Sequence, residues 1–200
     1  MNIVVLDYGV GNLFSIKCAL ERLGAIVHIT PHLSKKMDFN GIILPGVGNF
    51  THAVKHLTQN IEDIMNAVNK GLPTLGICLG MQLLFENSEE GYEDGLKLLS
   101  GKVLKLPKNL KTPHIGWNRI KIKKPHKIVE GVADNSWVYF IHSYYPKPNK
   151  SDICVAEVEY GITFPAIVAE RNIFGTQFHP EKSGDVGNRI LKNFLEFCKR

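Results

Sequence analysis

The sequence predicts an α/β fold, a three-layer sandwich around a mainly parallel sheet that antiparallel strands extend. Three observations carry this. Short apolar runs alternate with helical spacing through the first half of the chain, the order of βαβ units. The second half is rich in strand patterns and closes on one amphipathic helix. The 200 residues are 44% hydrophobic and 22% charged, ordinary for one globular domain, or one domain with an inserted sheet.

The elements follow in order. Residues 3–6 are a continuous apolar run and read as a strand buried on both faces. Leu13, Ile16, Leu20 and Leu23 recur at helical spacing, and Gly24 stands where a helix C-cap belongs. Residues 25–29 and 41–44 are the next strands. Phe50, Val54, Leu57, Ile61, Ile64 and Val68 step by fours and threes, giving one apolar face over one helix or two, closing at Gly71. Residues 74–77 form a further strand, and the order implies a parallel sheet covered on both faces. Residues 102–106, 115–122, 137–143, 153–160, 166–169 and 173–178 read as strands. Ile190, Leu191, Phe194, Leu195 and Cys198 mark the inner face of the last helix. No repeat, linker or low-complexity segment divides the chain, so one domain is expected.

Composition narrows the function classes. The net charge is +5, and residues 102–127 hold nine Lys or Arg and no Asp or Glu. Nucleic-acid binding is one reading of that stretch. The interleaved Ile120-Lys121-Ile122-Lys123 fits better a strand with one solvated face, so no nucleic-acid partner is expected. No apolar run approaches a membrane span, and the first seven residues lack a basic leader, so no membrane partner and a cytoplasmic location are expected. Cys18, Cys78, Cys154 and Cys198 are widely spaced without a C-x-x-C pair, which argues against a zinc site or a disulfide framework. His52 and His56 are four apart, but Ala53 stands where a zincin needs Glu. Gly9-Val10-Gly11-Asn12 lacks the third glycine of a dinucleotide fingerprint, and no P-loop is present. No metal and no cofactor are expected.

The chemistry centres on Gly76-Ile77-Cys78-Leu79-Gly80. It follows a predicted strand and opens a helical pattern with Met81, Leu84 and Phe85 on one face. Strand, sharp turn and helix form the context of a nucleophile elbow, here with Cys in place of Ser. Glycines beside the nucleophile let backbones approach and let φ go positive. The helix opening at Leu79 aims free N–H groups and its positive dipole end at the sulfur, which stabilises a thiolate. A buried structural cysteine is the plainer alternative, since free Cys is among the most buried residue types.

A cysteine nucleophile needs a base, and the base an orienter. His179 and Glu181, two apart at the end of a predicted strand with Pro180 stiffening the turn between them, point to the same side. Glu181 can accept one imidazole N–H and leave the other nitrogen facing Cys78. A surface His-Pro turn is the alternative. Acyl chemistry also needs an oxyanion hole. The N–H of Leu79 is one natural donor, and the loop Leu44-Pro45-Gly46-Val47-Gly48, at the same sheet edge, is a candidate for the second. Taken alone, an ordinary βα turn is the simpler reading of that loop.

Gly76-Ile77-Cys78-Leu79-Gly80-Met81-Gln82 together with Gln177-Phe178-His179-Pro180-Glu181, about 100 residues apart, resembles the class I, triad-type glutamine amidotransferases. Asp7-Tyr8-Gly9-Val10-Gly11-Asn12-Leu13, Pro45-Gly46-Val47-Gly48, Pro113-His114-Ile115-Gly116-Trp117-Asn118 and Tyr139-Phe140-Ile141-His142-Ser143-Tyr144 narrow the likeness. They are similar to glutaminase subunits that serve a cyclase of histidine biosynthesis. The likeness spans essentially the whole chain, 1–200 as a single amidotransferase domain, and Asn49 after the Pro-Gly-Val-Gly turn is a minor departure. It implies Cys78 as nucleophile, His179 as proton shuttle and Glu181 as its orienter. It implies oxyanion donors at Val47 and Leu79, and a glutamine site at Gly48, Gln82, Glu90, Ser143 and Tyr144. It implies ammonia passed within a heterodimer to a (β/α)₈-barrel cyclase, with Asn12, Trp117 and Lys182 at the partner surface. Three rivals stay open here: an amidotransferase serving another aminating partner such as a surface-sugar enzyme, a free-standing cysteine hydrolase, and a regulatory module without chemistry. The intact Cys78, His179 and Glu181 set argues against the last.

Overall fold

The computed structural model describes residues 1–9, 11–33 and 38–199. The first half runs β1 (Asn2–Leu6), α1 (Leu13–Arg22), β2 (Ile26–Thr30), β3 (Gly41–Leu44), α2 (Phe50–Leu57), α3 (Ile61–Asn69) and β4 (Thr74–Ile77). Asn12 caps α1 by accepting from the Ser15 N–H at 3.2 Å. The long apolar face after residue 50 is broken by a single 3₁₀ turn, Thr58–Asn60. The buried Asn60 side chain explains the break: it accepts from the Leu33 N–H and donates to the Pro31 carbonyl, tying the turn to the loop after β2.

The second half runs α4 (Leu79–Leu83), β5 (Asn87–Ser88), β6 (Gly101–Lys105), β7 (His114–Ile122), β8 (Ser136–His142), β9 (Tyr144–Pro148), β10 (Cys154–Glu159), β11 (Thr163–Glu170), β12 (Ile173–Thr176) and α5 (Gly184–Phe197). One sheet has the order β2-β1-β3-β4-β12-β11-β10-β7-β8. Its pairs are parallel from β2 through β12 and antiparallel beyond. Period-two alternation sends Ile3 and Val5 to one face and Val4 and Leu6 to the other. The first face is covered by α1 and α5 through Ile16, Leu20, Ile190 and Phe194. The second is covered by α2, α3 and α4 through Phe50, Leu57, Ile64 and Met81. This is the expected three-layer sandwich.

Two expectations are corrected. The strand expected over 137–143 stops at His142, and the chain leaves the main sheet as β9, which pairs with β6 in a separate three-stranded sheet. Pro146 and Pro148 disguise β9 as loop, and they are tolerated because β9 is an edge strand. The helix after Cys78 is only five residues long and buried throughout, so Leu84 and Phe85 lie beyond it in a turn.

The brevity of α4 goes with very close packing. A Cβ on Gly80 would lie 1.7 Å from the Leu44 carbonyl oxygen, and one on Gly76 would lie 2.4 Å from the Gly80 oxygen. Helix and strand ends touch through bare backbone. Gly80→Ala is expected to destabilise the fold by about 3 kcal/mol or more, because the obstacle is backbone and cannot rotate away. Gly24, at φ +87 with open space around it, should cost only about 1 kcal/mol on the same change. Urea denaturation of both variants checks the contrast, and similar losses would contradict it.

Candidate active site

Cys78 sits between β4 and α4 with φ +53 and ψ −104, a region that costs a non-glycine residue about 1–3 kcal/mol. The surroundings hold it there. Its N–H donates to the Thr176 carbonyl of β12 at 2.7 Å, and its own carbonyl accepts from the Gln82 N–H at 3.1 Å. The positive φ expected of the elbow therefore falls on the cysteine itself. Gly76 and Gly80 supply only the close approach.

His179 follows β12, and its Nδ1 lies 2.8 Å from Glu181 Oε1, with both side chains almost fully buried. The pair is braced from β8. The His179 N–H donates to the Tyr139 carbonyl, while the buried Ser183 hydroxyl donates to the His179 carbonyl at 2.6 Å and accepts from the Tyr139 N–H. With Nδ1 committed to Glu181, Nε2 is left buried without a hydrogen-bond partner. Burial pulls the imidazole pKa down, but the Cys78 sulfur and the Glu181 carboxylate more than offset this and hold it up at about 10. The ring is a proton donor at neutral pH.

A cavity of about 270 Å³ opens onto Cys78. Val47, Gly48, Leu79, Gln82, Glu90, Ser143 and Tyr144 all line it, so every residue expected at the oxyanion hole and glutamine site borders one space, which His142 also lines. Two of them have structural duties as well. Gln82 Nε2 donates to the Tyr144 carbonyl at 2.8 Å, and Glu90 Oε2 accepts from the Phe50 N–H at the start of α2. A larger groove of about 940 Å³ lies at the far end of the sheet by Lys70, Arg171 and Asn172, away from Cys78 and His179.

The oxyanion hole expected at Val47 and Leu79 is closed in this structure. The Leu79 N–H donates to the Gly46 carbonyl at 3.4 Å. In a trans peptide the C=O and the next N–H point oppositely, so the Val47 N–H faces away from the cavity. One donor is covered and the other averted, and rotating the single Gly46–Val47 peptide would release both. Gly48, at φ +137, gives the loop a conformation that glycine tolerates best. Gly11 abuts the loop from the other side, where a Cβ would lie 3.2 Å from the Gly46 Cα. Val10, in the same run, lies outside the described residues.

The expected partner residues lie around this site. Trp117 and Lys182 are exposed and both approach Tyr139, Trp117 edge-on at 5.9 Å and the Lys182 ammonium 6.0 Å above the ring. Asn12 is exposed and borders a small crevice that His179 and Glu181 also line. The basic residues of β7 alternate outward as expected, but Ile115 and Trp117 share that exposed face.

A family model described as glutamine amidotransferase class-I matches residues 4–197. The chain belongs to the class I glutamine amidotransferases. It is 50% identical over 200 residues to imidazole glycerol phosphate synthase subunit HisH of Methanosarcina barkeri, covering 98% of each chain. It is 48% identical over 198 residues to the protein of that name from Caldanaerobacter subterraneus subsp. tengcongensis, again with 98% of each covered. A solved glutamine amidotransferase structure superposes with a TM-score of 0.80 at 20% identity over 99% of both chains. One from Thermotoga maritima gives 0.74 at 17% identity over 100% of this chain and 99% of that one. These two speak to the fold alone.

Some residues of this amidotransferase site carried no sequence signal beyond sitting in a motif. His142 Nδ1 donates to the Tyr144 carbonyl at 2.9 Å, so its Nε2 must accept from His114 Nδ1 at 3.0 Å. Burial, reinforced by the neighbouring His114, pushes the His142 pKa down to about 3, and burial pushes His114 down to about 4. Both rings stay neutral where unfolded imidazoles, near 6.5, take up protons. The unfolded chain then binds more protons below pH 6.5, and stability falls as pH drops from about 6.5 towards 4. His114→Phe keeps a ring against Phe140 and Tyr160 and should lose about one proton's worth of that slope, about 1.4 kcal/mol per pH unit. Denaturation at several pH values reads this, and an unchanged acid slope would contradict it. The sign reverses for His179, whose stabilising pairing is complete below pH 6.5 and is lost as pH rises through about 10.

Proposed function

We propose that this chain is the glutaminase subunit of imidazole glycerol phosphate synthase, acting as one amidotransferase domain over residues 1–200. The observation that carries the reading is identity of 43–50% to proteins of that name over 98% of the chain. The buried His179–Glu181 pair beside a cysteine on a strained elbow supports the chemistry. A sister amidotransferase with another aminating partner would share the triad. The identity over nearly the whole chain favours the synthase.

The geometry supports the following sequence of steps. Glutamine enters the cavity with its carboxamide against Cys78. The sulfur attacks the amide carbon and the carbonyl oxygen becomes an oxyanion. Protonated His179 gives its proton to the departing nitrogen, and ammonia leaves a glutamyl thioester. Neutral His179 then takes a proton from water as the water attacks the thioester, and glutamate and the Cys78 thiolate are released. Glu181 holds the ring orientation throughout and stabilises the imidazolium whenever His179 carries its extra proton. The ammonia passes to a (β/α)₈-barrel cyclase in a cytoplasmic heterodimer, which makes imidazole glycerol phosphate and an aminoimidazole carboxamide ribotide. Among the described residues, no helix is long and apolar enough to cross a membrane, and no His, Cys, Asp and Glu cluster could hold a metal.

The closed hole gives the partner a task. Docking at Asn12, Trp117 and Lys182 presses on the loop that contacts Gly46 and on the segment that carries His179. A missing donor withholds roughly 3–4 kcal/mol, or a factor on the order of 10²–10³ in rate. Glutamine hydrolysis should therefore be slow for the chain alone, faster with the barrel subunit and fastest with barrel plus nucleotide ligand. Equal rates would refute the switch and favour a free-standing hydrolase. In the complex, Cys78→Ala should abolish glutamine-driven synthesis and spare synthesis from added ammonia. Cys78→Ala, His179→Ala and the double variant should lose similar activity, because the triad works as a unit. Multiplicative losses would break that assignment.

A further inference from the structure

Beside Cys78 lies a polar side chain that the mechanism above does not use. Gln177 is fully buried directly after β12, its N–H fixed to the Ala166 carbonyl of β11 at 2.9 Å. Its side-chain nitrogen Nε2 is 3.7 Å from Cys78 Sγ. The orientation of this amide follows from its neighbours. The Tyr144 carbonyl can only accept, so the Gln82 atom 2.8 Å from it is the nitrogen. That same Gln82 nitrogen lies 3.3 Å from the Gln177 side chain, which must present its oxygen there. The other end of the Gln177 amide, the NH₂ group, is thereby turned to the sulfur.

We propose that Gln177 is a further catalytic residue, its amide N–H donating to the Cys78 sulfur and stabilising the thiolate whenever it forms. This rests on Cys78 being the nucleophile and is independent of the partner's identity. The other contacts of the sulfur cannot take this role throughout the cycle. The Ile141 carbonyl, 3.5 Å away, accepts from a thiol but repels a thiolate. His179 holds its proton only part of the time, since it delivers one to ammonia and recovers one from water. The Gln177 amide cannot titrate. It faces the sulfur before attack, and again when the thiolate leaves the thioester. The titratable groups around the sulfur are His179 with Glu181 behind it, neutral His142 on the cavity wall, and Tyr8, whose hydroxyl is tied to the Pro45 carbonyl.

The signature differs from that of a merely structural residue. A hydrogen bond to a charged group changes the thiolate population about ten-fold or more. A less stabilised thiolate is more nucleophilic, with a Brønsted slope of about 0.5, so about three-fold of a ten-fold change is returned. Iodoacetamide labelling of Cys78 in the full chain, followed over a pH series, should show both effects in Gln177→Met. The profile should move about one unit to higher pH. Labelling on its acid side should slow about three-fold, and the plateau at high pH should rise about three-fold. A loosened site would not raise the plateau. A profile that superimposes on the unsubstituted chain overturns the proposal, as does a uniform loss at all pH values. A second measurement needs no substitution. The Gln177 side-chain amide resonances, read by ¹⁵N–¹H NMR, should shift when Cys78 is alkylated, and resonances indifferent to alkylation would overturn the assignment.

Discussion

The active site is built around a contact that contains no side chain. The backbone of Gly80 lies against the Leu44 carbonyl, and Gly76 lies against Gly80, so closely that a single methyl group fits at neither. This approach brings α4 across the ends of β3 and β4 and leaves the chain no way round Cys78 except through positive φ. Cys78, the Leu79 N–H and the loop at Gly46 to Gly48 are then neighbours by necessity. A parallel sheet gathers such loops at the carboxyl ends of its strands, and here β3, β4 and β12 each contribute one.

Two buried histidines near the same sulfur are tuned in opposite directions. His179 keeps its proton to about pH 10 because a carboxylate and a sulfur outweigh its burial. His142 stays neutral down to about 3 because its burial is reinforced by another imidazole, and its carbonyl partner does not compensate. The first ring stays charged. The second is locked in one tautomer and, with Gln82, fixes the Tyr144 carbonyl at the edge of the cavity. Environments that drive like groups apart are how one site obtains both a charged ring and a neutral scaffold.

The surface that bears Asn12, Trp117 and Lys182 is linked to Cys78's surroundings over short distances. Tyr139 packs against Trp117 and Lys182 on its outer side, and through its backbone it holds His179 and Ser183 on the inner side. Gly11, one residue before Asn12, touches the Gly46 backbone. Under the proposed reading, a partner docked on this face would bear on His179 and on the Gly46 loop at once, and no long-range path is needed.

The sequence by itself determined the layered α/β architecture, because burial on both faces of a parallel sheet requires unbroken apolar strands and helices with one apolar stripe. It also marked Cys78, His179 and Glu181, since elbow glycines and an i, i+2 pair are local patterns. It did not reveal β9, where two prolines conceal an edge strand whose partner β6 is remote in sequence. Nor did it reveal that the glycines serve close contact while the cysteine takes the strain. Above all, it did not hold the availability of the Val47 and Leu79 N–H groups or the direction of the Gln177 amide. The first depends on the rotation of one peptide against Leu79, and the second on a chain of donors and acceptors running from Tyr144 through Gln82. Residues far apart in sequence share those hydrogen bonds only once the sheet has brought them together.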